Sequence, residues 1–258
     1  TTLVALKQPY LSNHSSSSDL LSSLIPTLSL SPEGQVKELS ADALSIQWAS
    51  SLLQDVYDFI ALYLKSHAVS CPMSIPVFRF VTCGLAMTNV PGATPRQKEV
   101  YLIEELIQPD HDGPWRKYIN NNSSHPCYFK DTENYHRSEF LAFCQHVQYW
   151  RTRCLVFTLD FQGGDTLLTD PQIITHPDLG RKLFGKGNVQ STHRDFEREH
   201  KCNVFCKFFK VPTSYVQHDK FTGVSTHGQS EVHLPFHTSF VYSLNKGSPP
   251  LVLLNLDD

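Results

Sequence analysis

Cys154-Leu-Val-Phe-Thr-Leu-Asp160 opens the stretch that decides how this chain folds, and His200-Lys-Cys202-Asn-Val-Phe-Cys206 closes it. Between them lie Phe161-Gln162-Gly163-Gly164-Asp165, Thr169-Asp170-Pro171-Gln172 and Phe184-Gly185-Lys186-Gly187-Asn188. A short apolar run bounded by turn residues predicts a buried strand that delivers Asp160 into a turn. Gln162 and Asp170 follow as further oxygen donors, a set suited to Mg²⁺, which keeps waters and borrows oxygens from a bound phosphate. The other reading of the same spacing is turn chemistry, with Asp160 as a cap and Asp170-Pro171 as an Asx-type turn. The His/Cys cluster has softer chemistry. Cys202 and Cys206 are four apart and share a face if both are helical, and His200 precedes that helix. His146, on an earlier predicted helix, is the best fourth donor. Four protein ligands close the shell, which makes the site a structural zinc. Its rival is a pair of core cysteines beside a surface histidine.

Outward from this stretch the chain alternates patterns. Thr2–Lys7 reads as a short strand, and residues 8–36, rich in serine with Pro26 and Pro32, as a loop. From Glu38 to Ser66, Ala49, Leu52, Leu53, Val56, Phe59, Ile60 and Tyr63 recur at helical spacing. Ile75–Met87 and Glu99–Glu104 predict strands around an Asn89–Pro95 turn, hence a hairpin. Asn120–Ser124 is loop. A helix over Ser138–Trp150 takes Ser138 as cap, with Phe140, Phe143, Cys144 and Val147 inward. Thr192–His200 predicts a solvated helix, Cys202–Phe209 a buried one, and Ser239–Leu244 and Leu251–Leu254 weak strands. A break near residue 108 divides this α+β pattern into residues 1–107, 108–212 and a C-terminal extension, 213–258.

The 258 residues carry a net charge of -3, which argues against nucleic acid or a membrane surface as the main partner. No apolar run approaches the ~20 residues of a membrane span. Seven cysteines in a chain this long do not form a disulfide scaffold and point to a reducing, cytoplasmic setting. The chain starts at Thr1 without a signal peptide, and flanking domains are expected outside it.

Lys7, in Val4-Ala-Leu-Lys7, ends its strand as a lysine that holds nucleotide phosphates would, and as many surface lysines do. Joined with Glu104-Glu105, Arg116-Lys117-Tyr118 and its asparagine run, Leu159-Asp-Phe-Gln-Gly163, Leu168-Thr-Asp-Pro-Gln172, Phe184–Asn188 and His200-x-Cys202-x3-Cys206, it resembles the alpha-kinase family of atypical protein kinases, in order and spacing, over about Thr2 to Pro212. The resemblance implies a two-lobed, protein-kinase-like α+β fold with structural Zn²⁺ on His146, His200, Cys202 and Cys206 in the C-terminal lobe. It implies transfer of the ATP γ-phosphoryl group to a serine or threonine of a protein substrate, with Mg²⁺. Lys7 would contact phosphates, Glu105 and Ile107 would hold adenine through the main chain, and Gln162 and Asp170 would bind Mg²⁺. Asp160 would act on the acceptor hydroxyl, with Asp160, Asp170 and Lys7 as the catalytic set. Gly185, Gly187 and Asn188 would position the peptide substrate.

The chain departs from the family pattern at Gln190, where a further glycine is usual, and in the acid expected to pair with Lys7, for which Asp42 is the nearest candidate on the long helix. Only six residues precede Lys7, so the strands and phosphate-covering loop usual before it are expected to be missing or to lie outside this chain. These departures keep open an inactive pseudokinase or a zinc-stabilised interaction module. His193-Arg-Asp195 imitates the catalytic loop of conventional kinases, but in the wrong order, and reads as solvated helix surface.

Overall fold

The computed structural model describes residues 3–9, 30–88, 98–180, 183–184, 187–213 and 254–255. In chain order the elements are β1 (Val4–Lys7), α1 (Pro32–His67), β2 (Arg79–Phe80), β3 (Cys83–Met87), β4 (Val100–Glu105), α2 (Pro109–Asp112) and β5 (Arg116–Lys117). There follow α3 (Thr132–Arg151), β6 (Val156–Leu159), β7 (Gln162–Gly163), β8 (Leu167–Thr169), β9 (Gln172–Thr175), α4 (Gln190–Glu199), α5 (Val204–Phe208) and β10 (Leu254–Asn255). The fold is α+β. Strands pair in the orders β1-β4-β3-β10, β2-β8-β7-β5 and β6-β9. The expected hairpin is present, β3 against β4 antiparallel. Its Asn89–Pro95 turn and the Ser239–Leu244 strand lie outside the described residues. Of the expected strand at Leu251–Leu254, Leu254 is described, in β10, parallel to β3.

α1 begins at Pro32, earlier than the Glu38 expected. Ser31 caps it, its Oγ accepting the Gly34 N–H at 3.2 Å, and Pro32 occupies the first turn, where its missing N–H costs nothing. A proline read as a loop marker is here a helix starter. The helix joins two hydrophobic clusters. Leu39 and Ala43 pack with Leu85, Val100 and Leu102 of the β3–β4 hairpin. Ile46 to Ile60 pack into the larger cluster with Phe140, Phe143, Phe157, Phe161, Phe205 and Phe209.

α3 also starts early. Asp131 is its cap, accepting the Asn134 N–H at 2.7 Å. Ser138 lies buried inside the helix and donates to the Cys127 and Tyr135 carbonyls. Its inner face carries two glutamines that serve β6. Gln145 Nε2 donates to the Thr158 carbonyl, and Thr158 N–H donates to Gln148 Oε1, each at 2.8 Å. β6 pairs on its other side with β9, so the two glutamines satisfy Thr158 on the edge that faces α3.

α4 is not a solvated helix throughout: Thr192, His193 and Phe196 are buried. Phe196 packs against Phe157 with ring centroids 4.4 Å apart and planes tilted by 38°, and His193 Nε2 lies 2.8 Å from the Cys154 carbonyl. Charged residues at Arg194 and Arg198 hide this apolar stripe in the sequence. α5 is shorter than expected, because Asn203 caps it through the Phe205 and Cys206 N–H groups. Cys202 therefore precedes the helix and does not share a helical face with Cys206.

Candidate active site and metal centre

Three strand ends meet at one place. β1 ends at Lys7, β6 ends just before Asp160, and β8 just before Asp170. Asp160 (φ 57°) and Asp170 (φ 52°) both take the left-handed conformation, which aspartate tolerates better than most residues and which often marks a functional turn. Gly163 between them has φ 147°, and a Cβ there would run into the Leu167 carbonyl, so the β7–β8 turn accepts only glycine.

Lys7 Nζ lies 2.8 Å from Glu104 Oε1 and 3.6 Å from Asp170 Oδ1. Burial works against its charge, but the Glu104 hydrogen bond and charge, with Asp170 and Asp42, leave its pKa raised. Glu104 is 3% exposed, and its other oxygen accepts from Thr169 Oγ1 at 2.7 Å. Gln162 Nε2 donates to Asp170 Oδ2 at 3.4 Å. Asp160 is buried and paired with Lys117 Nζ at 2.8 Å. Burial and the Asp170 charge raise its pKa above the usual carboxylate range, against the opposing pull of Lys117. Asp42, on α1, is pushed up to about 6, first by desolvation and then by Asp170.

Glu105 turns outward. Its carboxylate takes a bidentate contact from Arg79, at 2.6 Å on each oxygen, and its N–H donates to the Thr82 carbonyl at 2.9 Å. Ile107 packs half-buried against the larger core cluster. Gly185 lies outside the described residues. Gly187 sits against the Gln172 side chain, and Asn188 spends its amide on Thr175, accepting from its N–H and donating to its Oγ1.

On the other side of α3, His146, His200, Cys202 and Cys206 bring one donor atom each within 4.8 Å of one another. His146 Nδ1 is 3.5 Å from Cys206 Sγ and 3.8 Å from Cys202 Sγ, and His200 Nε2 is 3.6 Å from Cys206 Sγ. A tetrahedron with ordinary zinc bond lengths has edges of about 3.3–3.8 Å, so the cluster has the size and donor chemistry of a zinc site. His146 Nε2 lies 3.1 Å from the Pro212 carbonyl, which leaves Nδ1 for the cluster. Burial holds His146 and His200 low, His200 at about 3, and pushes Cys206 up to about 12. A cation among them would reverse the thiol's preference.

Residues 49–206 match the sequence model of the alpha-kinase family. The chain belongs to that family. Among curated relatives of this alpha-kinase chain, human transient receptor potential cation channel subfamily M member 6 is 32% identical over 130 residues, covering 46% of this chain and 6% of that protein. Rat subfamily M member 7 is 33% identical over 145 residues, covering 55% and 7%. Myosin heavy chain kinase B of Dictyostelium discoideum is 33% identical over 105 residues, covering 40% and 13%. The chain thus spans 13% or less of each of these relatives. The alpha-kinase domain of myosin heavy chain kinase A in complex with ADP superposes with a TM-score of 0.47 at 21% identity, over 69% of this chain and 60% of that one.

Of the expected site residues, Lys7, Asp160, Gln162 and Asp170 come together, while Asn188 is turned to β9. The carboxylate expected on the long helix comes instead from β4, as Glu104. Its signal was in the sequence: Val100, Leu102 and Glu104 alternate on one face of a strand, and an acid on a buried face needs a cation. Lys117 left no such trace, because only the pairing of β5 with β7 brings it to Asp160.

Proposed function

We propose that this chain is an atypical serine/threonine protein kinase that transfers the ATP γ-phosphoryl group to a protein hydroxyl. The convergence of Lys7, Glu104, Asp160, Gln162 and Asp170 carries the proposal. Lys7, held by Glu104, contacts the phosphates, and the main chain of Glu105, at the end of β4, and of Ile107, just beyond it, receives the adenine. Asp160, oriented by Lys117, accepts the proton of the acceptor hydroxyl as its oxygen bonds the γ-phosphorus. The bond from that phosphorus to the β–γ bridging oxygen breaks, and ADP leaves. Gln162 and Asp170 are the residues that would hold Mg²⁺, whose chemistry is to neutralise phosphate charge. Phosphoryl transfer asks mainly for positioning and charge neutralisation, so this set is sufficient.

Residues 1–107 form the nucleotide-binding lobe in this proposal, and 108–212 the catalytic lobe. Zinc on His146, His200, Cys202 and Cys206 braces the latter, and the protein works in the cytoplasm. The loop around Gly185, Gly187 and Asn188 places the acceptor peptide. The test is ³²P transfer from ATP to a basic protein substrate, wild type against Asp160→Ala. Transfer lost in the variant is expected; equal incorporation in both overturns the catalytic assignment.

A further inference from the structure

Glu104 is a buried carboxylate whose two oxygens are claimed from two different sheets. Oε1 takes Lys7, from β1 beside it in one sheet, and Oε2 takes Thr169, from β8 in another. Thr169 itself is buried, stands opposite Gln162 in the β7–β8 ladder, and is followed directly by Asp170. One hydroxyl therefore connects the group that holds the lysine to the turn that carries Gln162 and Asp170. Its direction is set in advance, since a β-branched side chain on a strand has restricted χ1 freedom.

We propose that Thr169 is a positioning residue for Lys7, acting through Glu104. This rests on the kinase function proposed above for the same site. Thr169 fixes Oε2, which leaves Oε1 alone for the ammonium, and Lys7 is then presented at 2.8 Å from Glu104 with Asp170 still 3.6 Å away. Without the hydroxyl, Oε2 becomes a buried acceptor with no donor, a costly state. Lys7, already bonded to Oε1, would then be drawn onto both oxygens and away from the Asp170 side. Lys7 would then lose reach toward a phosphate without losing its charge.

Thr169→Val keeps the shape and deletes the donor, and Thr169→Ser keeps the donor. Thr169→Val is expected to raise KM for ATP and to lower kcat/KM by about tenfold, the scale of one charge-assisted hydrogen bond, while Thr169→Ser stays within about threefold of wild type. A merely structural role would move melting temperature in step with activity and would leave the surroundings of Lys7 unchanged. An activity-independent readout is the ¹³C spectrum of reductively methylated protein, with the Lys7 resonance assigned by its loss in Lys7→Arg. That resonance is expected to move in Thr169→Val and to stay in Thr169→Ser. An unmoved Lys7 signal, or equal kinetics in the two variants, overturns the proposal. If wild type itself transfers no phosphate, the kinase assignment falls and the spectra still decide the Thr169 coupling. Should Thr169→Val not fold, Thr169→Ala against Thr169→Ser gives the same comparison.

Discussion

Asp160 and Lys117 face one another at 2.8 Å, and the lysine opposes the rise that burial imposes on the aspartate. Removing it in Lys117→Met should raise the Asp160 pKa further. A base must be ionised to act, so the acid limb of kcat/KM against pH moves to higher pH in the variant, and an unmoved limb excludes this pairing from the reaction. His193 gives a pH effect on stability instead. It is 5% exposed and its pKa is lowered to about 4, first by burial. The unfolded chain binds the proton near 6.5, so between about 6.5 and 4 it holds more protons than the folded one. Stability from this group is complete above 6.5 and falls as the pH drops toward 4, by on the order of 3 kcal/mol. Denaturant titrations at pH 7 and 5 should show about 2 kcal/mol of this loss in wild type and much less in His193→Gln.

At the scale of elements, α3 shows what a single sequence can and cannot disclose. Its apolar face from Phe140 onward is plain, so the helix and its orientation were legible. Its first turn was not, because Thr132–Arg137 is polar and Asp131 and Ser138 are equally good cap residues. The choice falls to Asp131 once the Cys127 carbonyl is in place to take the Ser138 hydroxyl, a tertiary event. Asp131→Ala should lower the chemical-denaturation midpoint, because the Asn134 N–H loses its capping acceptor. The same reasoning applies to α4, where a few apolar positions among charges became a buried face only when β6 and β9 supplied the partner. Register between strands is likewise absent from local pattern, which is why Glu104 was visible as a hinge-like acid but not as the partner of Lys7.

For the whole molecule, the larger buried cluster is built on aromatic side chains, Phe140, Phe143, Phe157, Phe161, Phe205 and Phe209 among them. Phe205 is fully buried and lies within 5.3 Å of the Phe140 ring and 5.8 Å of the Phe143 ring, between centroids. Phe205→Ala should destabilise by about 3–5 kcal/mol, measured by urea unfolding. The adjacent His/Cys cluster was the most legible site in the chain, because its spacing is local and only His146 had to be found elsewhere. Purified protein should contain about one zinc per chain by elemental analysis, and a strong chelator should lower the melting temperature sharply, since structural zinc supplies roughly 10 kcal/mol or more in small model domains. Metal-free protein with an unchanged melting temperature would remove the zinc assignment.

The paired glutamines of α3 act as a rung of sheet made from side chains. They occupy the N–H and C=O of Thr158 that a further strand would otherwise take. Peel α3 away and Val156-Phe-Thr-Leu159 becomes a bare apolar edge, the kind that recruits a second chain. Partial unfolding that starts at α3 thus leads toward aggregation, whereas loosening of β1 does not expose this segment.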